Sequence, residues 1–93
     1  MKVPVAETED FIIYLEHYKD LYWLHTDVHK WTPKIKKYFI NMLEDIQETL
    51  DVALFSLIDN SKLEKFAKSI GFEFYNFVTG FDSNQYKVFI RRL

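Results

Sequence analysis

Three residues at alternate positions, His25, Asp27 and His29, carry the most reactive side-chain pattern in the chain. On an extended strand, positions two apart project from one face, so two imidazoles and a carboxylate would align. Such a set can supply a general base that deprotonates an amine. Imidazole and carboxylate are also metal ligands. Same-face neighbours on one strand stand roughly 6–7 Å apart, however. That is long for three ligands on one ion, and no metal site is expected. A plain surface or structural role is the remaining reading, and His17 stands alone without one.

A second group is basic. Lys34, Lys36 and Lys37 crowd a short stretch with Lys30 just before it, whereas Glu44, Asp45, Glu48 and Asp51 gather further on. If this stretch is one helix, both distributions oppose its macrodipole. A phosphate or an acidic patch on a partner would relieve that conflict. A solvated lysine cluster is the alternative.

These groups need elements to position them. The chain has two Gly and two Pro, so long elements and short connections are expected. Phe11–Tyr18 and Leu21–Trp31 read as strands around a polar Lys19-Asp20 turn. A helix through Phe11–Leu24 also fits the spacing of Phe11, Leu15, Tyr18 and Tyr22. Thr32 is a natural N-cap and Pro33 suits the first helical position. Ile35, Phe39, Met42, Leu43, Ile46 and Leu50 then form one apolar stripe. Asp51–Ile58 reads as a strand buried on both faces. Asn60 or Ser61 can cap a second helix with Leu63, Phe66, Ala67 and Ile70 inward, and Gly71 can end it. Two strands follow, joined by a turn in "GFDSNQ". The predicted order is β-β-α-β-α-β-β, an α/β (α+β) mixed sheet with two helices packed on it and a parallel pair across the first helix.

The stretch "DNSKLEKFAKSIGF" carries Asn60 and Gly71-Phe72 at a spacing that resembles the GCN5-related N-acetyltransferase (GNAT) family. More narrowly, the chain is similar to the short, divergent GNAT-like proteins of bacteriophages. The resemblance covers residues 11–93, a single domain, with residues 1–10 as an N-terminal extension in place of the family's first strand and first two helices. It implies an acetyl-CoA cofactor, with Lys30, Lys34, Lys36, Lys37 and Asn60 as the contacts available to it, and His25, Asp27 or His29 as base. Two family features are missing. The stretch "HKWTPKIKK" has no glycine to admit a pyrophosphate, and Pro33 removes an N–H donor. Ala67 stands where the family keeps an acidic tyrosine; Tyr38 and Tyr75 are the substitutes to consider.

The resemblance and its gaps together imply a small GNAT-like protein that binds a macromolecular partner, a host or viral protein such as a host defence component. Self-association through a sheet edge is a further expectation. The alternative is an active acetyl-CoA-dependent N-acetyltransferase that modifies a protein amine. A nucleic-acid module using the lysines and Trp31 is the weakest reading, because the net charge is −2 and phosphate binding favours a basic surface.

Composition bounds the rest. Ninety-three residues, 48% hydrophobic and 18% aromatic, suffice for one core without staples. The absence of cysteine removes thiol chemistry, disulfides and Cys-ligated zinc. "MKVPVAETED" turns acidic before any apolar run, and no run reaches the ~18 residues of a membrane span. A cytoplasmic location is expected.

Overall fold

The computed structural model describes residues 1–93. It is an α+β fold with six strands and two helices, ordered β1 (Lys2–Glu7), β2 (Phe11–Tyr18), β3 (Leu21–Val28), α1 (Pro33–Leu50), β4 (Leu54–Ile58), α2 (Ser61–Ser69), β5 (Glu73–Thr79) and β6 (Gln85–Arg91). The strands form one mixed sheet in the order β1-β2-β3-β4-β6-β5. Only β3 and β4 pair in parallel; every other neighbouring pair is antiparallel.

The hairpin reading of residues 11–31 holds as far as Val28, where the second strand ends short of Trp31, and the competing helix is absent. Lys19 and Asp20 both adopt positive φ, 53° and 62°, as a two-residue hairpin turn of matching twist requires. The predicted order lacked one strand. Within the N-terminal extension, Lys2–Glu7 forms an edge strand paired to β2, with a register shift between Pro4 and Ala6. Proline is tolerated there because an edge strand has a side with no ladder to complete.

Helix α1 begins as its sequence dictates: the Thr32 hydroxyl accepts from the Ile35 N–H at 3.2 Å, with Pro33 just inside. It ends at Asp51, whose φ of 57° breaks the helix before β4. Phe39, Leu43 and Gln47, at intervals of four, are its buried residues. The expected stripe is right for Phe39 and Leu43. Leu50, placed inward by the sequence pattern, is exposed, and the polar Gln47 is buried instead. Helix α2 is capped by Asn60, whose side-chain oxygen accepts from the Leu63 N–H at 2.9 Å. It closes through Gly71 at φ 98°, where the Phe72 N–H reaches back to the Ala67 carbonyl at 3.0 Å.

Both crossovers step in the same direction along the sheet, so a single handedness places both helices on one face. The main core lies between them and the sheet: Phe11, Ile13, Leu15, Leu24, Leu54, Ile58 and Phe89 against Phe39, Leu43, Ala67 and Ile70. Full burial of each large side chain stabilises by roughly 1.5–3 kcal/mol. Trp31 packs on Phe39 and Phe66 with ring centroids 5.4 and 5.1 Å away, closing the gap between the helices. The opposite face has no helix. A smaller cluster lies there: Phe55, Val88 and Ile90 are buried, with Trp23 and Val78 packed against them.

Candidate functional site

The parallel ladder is short. Strands β3 and β4 pair only at Tyr22↔Leu54 and Trp23↔Phe55. Beyond Trp23 and Phe55 the two strands part, and a cleft opens through the sheet. On the helix side it is a slot of about 220 Å³ walled by Leu24, Ser56, Ile58, Phe66, Ala67 and Ile70. On the solvent side it widens into a groove of about 530 Å³ that includes Glu16, Trp23, Val78 and Phe81. Leu24, His25 and Leu57 line both, so the slot and the groove adjoin at these residues.

Each strand is held from its outer side. Strand β4 pairs with β6 along its whole length, and β3 pairs with β2 from Leu21 to Val28. The edges that face each other across the opening are therefore firmly supported but unpaired beyond the second register position. Unpaired strand backbone beside a groove is a natural receptor for a ligand that carries amide groups.

The chemistry sits at the mouth. Hairpin register sets Tyr14 opposite His25 and Glu16 opposite Trp23, which makes Glu16 the diagonal neighbour of His25. His25 Nε2 lies 3.0 Å from Glu16 Oε1. His25 holds the Glu16 carboxyl below its ordinary value, with the Met1 ammonium, 3.4 Å from Oε2, adding to the effect. An ionised Glu16 accepts, so Nε2 carries the proton and Nδ1 is left as the basic nitrogen. Two positions along, the Tyr14 hydroxyl donates to Asp27 Oδ2 at 3.0 Å, and that bond pushes the Tyr14 phenol up.

Of the three residues at alternate positions, the structure joins two to strand β2 and separates the third. His25 and Asp27 share the solvent-facing side of the sheet, but Asp27 spends its carboxylate on Tyr14. His29 lies past the end of β3, exposed, with its backbone N–H bonded to the Asp10 carbonyl at 2.7 Å. No group of three His, Cys, Asp or Glu side chains is close enough to hold an ion. Only His25 lines the cleft.

The basic residues fall at the same end of the sheet, since α1 and α2 both begin just after the parallel strands end. Lys30, Lys34 and Lys37 are exposed, Lys36 is half-buried, and none of the four makes an ion pair. Lys36 and Lys37 border a shallow recess with Pro33, Ile40 and Asn41, outside the cleft. The first turn of α1 carries no acid and its last turn no base. Asn60 is engaged as the α2 cap. Tyr38 and Tyr75 line neither the slot nor the groove: Tyr38 packs edge-on to Phe11 and Tyr75 edge-on to Phe55.

Sequence reasoning missed Glu16, Leu57 and Ser56. Glu16 was within reach, because a two-residue turn at Lys19-Asp20 fixes the pairing outward from Tyr18↔Leu21. The positions of Leu57 and Ser56 at an opening depend on where the parallel ladder stops, which no local pattern encodes. No protein-family model matches the chain, and neither a curated protein nor a solved structure matches it.

Proposed function

We propose that this chain is a GNAT-like domain that receives the acyl-thioester arm of an acetyl-CoA-type cofactor in the β3–β4 cleft and serves acyl transfer to an amine. The observation that carries this reading is the opening of the central parallel pair after two register positions. The helix-side slot is narrower than the roughly 300–1,000 Å³ of most small-molecule pockets, which suits a thin, amide-bearing arm better than a compact ring system. Its walls are mainly apolar and fit the arm. The fit is poorer for a pyrophosphate, since the start of α1 has Pro33 and no glycine. Lys30, Lys34, Lys36 and Lys37, with the positive ends of α1 and α2, are the groups that would attract it.

When bound, such a cofactor supplies an activated acyl group. The chain supplies the rest. His25 Nδ1 takes a proton from an ammonium at the cleft mouth and so exposes the nitrogen lone pair. Glu16 fixes the tautomer and stabilises the resulting imidazolium. Leu24, Leu57 and Ile58 exclude water from the slot. Ala67 lines the slot and has no proton that it could give to a leaving thiolate.

The test is thermal denaturation across an acetyl-CoA titration. A ligand at 100 times its Kd adds about 2.7 kcal/mol, a rise of several degrees in Tm for a domain of this size. The reading expects such a rise, reduced when Lys34 and Lys36 are both replaced by Ala. No rise at millimolar cofactor overturns it.

A second reading, in which the domain works by binding a protein partner, rests on the uncovered sheet face. Leu57, Tyr75 and Phe81 are exposed beside the Phe55, Val88 and Ile90 cluster. Large apolar patches of this kind mark interaction surfaces. It expects a stoichiometric complex with one protein, such as the host component that the phage-type resemblance implies. Leu57→Asp and Tyr75→Asp should abolish that complex, and persistence in both variants contradicts the reading.

A further inference from the structure

The sheet has two edges, and they are built differently. Strand β1 resists pairing: Pro4 has no N–H to offer, the register shifts between Pro4 and Ala6, and Lys2 stands at its start. Strand β5 carries one such device, a register shift between Phe74 and Asn76. Beyond it, Asn76 to Thr79 follow β6 without a break. No turn or loop hydrogen bond reaches the backbone of Glu73–Thr79, and β6 is its one neighbour. The N–H and C=O groups on its outer side therefore face solvent.

A long edge strand is usually defended by charge. In β5 the one charged side chain is Glu73, at its start, and Arg92 already pairs with it at 2.6 Å. Phe74 and Phe77 are instead 47% and 52% exposed. Both lie on the helix side, since Phe74 sits opposite the core residue Phe89, and Phe77 opposite Lys87, which reaches Glu64 of α2. Their ring centroids are 5.0 Å apart, and together they form an apolar ledge at the rim of the sheet.

A strand rich in aromatic and β-branched residues, open along one side, is a template for another strand. A second copy of the chain fits it on three counts. Antiparallel self-pairing sets no like charges opposite one another across Phe74–Thr79, because that stretch carries none. Residues opposite each other share a face, so the two Phe74–Phe77 ledges meet on the helix side. The area also suffices. Half-exposed Phe74, Tyr75 and Phe77 contribute roughly 300 Å² per copy. Strand backbone raises the total over both copies to about 1,000 Å², the lower bound for a specific contact.

We infer that the chain forms a two-fold dimer by antiparallel pairing of β5 with β5 of a second copy, with Phe74 and Phe77 of both copies packed across the seam. Such a contact is self-complementary and closed, and the blocked β1 edge ends growth at two copies. An interface of this size makes a reversible dimer in the micromolar range. The pairing does not depend on what the β3–β4 cleft binds.

Sedimentation velocity on the full chain, from about 1 μM to 1 mM, should show monomer giving way to dimer. Phe77→Lys puts a charge on the edge at an already exposed position, and should weaken the dimer by about tenfold or more with native circular dichroism retained. Val3→Lys on β1 and Leu57→Asp on the open face should leave it unchanged. Hydrogen exchange of the unmodified chain reads the backbone pairing without any variant. Alternate amides between Asn76 and Thr79 should gain protection as concentration rises, and those of Lys2–Glu7 should not. A chain that stays monomeric at millimolar concentration leaves the edge to a foreign strand and overturns the inference. So does a dimer that survives Phe77→Lys, or one that forms without added protection in β5. Loss with Leu57→Asp but not with Phe77→Lys assigns the contact to the open face, with the same consequence.

Discussion

The two ends of the β3–β4 seam are built from the same parallel pair and behave oppositely. At the start of the strands, Tyr22↔Leu54 and Trp23↔Phe55 are zipped, Leu54 is fully buried, and a polar lock sits just beneath. There the buried Gln47 side chain donates to the Arg91 and Val52 carbonyls at 2.8 and 3.3 Å and accepts from the Arg91 guanidinium. Arg91 Nε in turn donates to the Ile70 carbonyl at 2.8 Å. One side chain from each of α1 and β6 thus ties together the ends of α1, α2 and the sheet. At the far end the strands part, and the polar groups His25 and Glu16 face a groove. The two ends divide the labour. The closed end holds the fold, so the open end can carry unpaired backbone and exposed aromatics without threatening it.

The largest expected effect tests that division by matching substitutions across the seam. Leu54→Ala, at the closed end, should cost about 2–5 kcal/mol. Leu57→Ala, three residues along and half-exposed, should stay within about 0.5 kcal/mol. Urea denaturation of both variants measures the contrast; equal losses would dissolve it.

Gln47→Leu comes next. It keeps the volume but strips partners from the Arg91 guanidinium and two carbonyls, an expected loss of about 1–3 kcal/mol by the same measurement. Stability unchanged or raised would show that the lock is dispensable.

At the open end, Ala67→Leu adds bulk to a wall of the slot. Because free space lies beside it, the cost should be no more than about 1 kcal/mol, at the low end for overpacking. The Tm rise with acetyl-CoA should nevertheless disappear. Retention of that rise would place the cofactor elsewhere.

The smallest effect is a pH dependence. Glu64 accepts from Lys87 at 2.8 Å and Lys68 at 3.1 Å, tying α2 to β6. These bonds, Lys87 first, hold its carboxyl below the ordinary value of 4.5. A lowered folded-state value means the unfolded chain takes up the proton first as pH falls. The contribution is therefore complete above the ordinary value and is lost through the acid range beneath it. Melting curves taken between about pH 5 and 3 should fall more steeply for the parent than for Glu64→Gln. Parallel curves would remove this ion pair from the account.

Much of the architecture was legible because local chemistry specified it. Thr32-Pro33 and Asn60 are helix starts wherever they precede an apolar stripe, Gly71 is a helix end, and Lys19-Asp20 is a tight turn. The misses have physical reasons. Pro4 and the polar flanks of Lys2–Glu7 disguise an edge strand, which needs only one paired side. Gln47 reads as solvent-facing because its partners, Arg91 and Val52, are distant in sequence or lie beyond the helix. Trp31, read with the lysines as part of a nucleic-acid module, packs on Phe39 and Phe66. The site was less legible than the fold. His25, Asp27 and His29 look equivalent by spacing, yet one meets Glu16, one meets Tyr14, and one falls beyond the strand. Hairpin register decides the first two, and strand length decides the third. Ala67, read as a core-facing residue, is buried and also walls the slot.

If the parted half of the seam is a ligand slot and the zipped half is not, amide chemical-shift mapping with acetyl-CoA should separate them. Concentration-dependent shifts are expected at Leu24–Asp27, Ser56–Ile58 and Ala67, with Tyr22, Leu54 and Arg91 unmoved. Saturation without any shift at Leu24–Asp27 or Ser56–Ile58 would contradict that assignment, as would the absence of any response at millimolar cofactor.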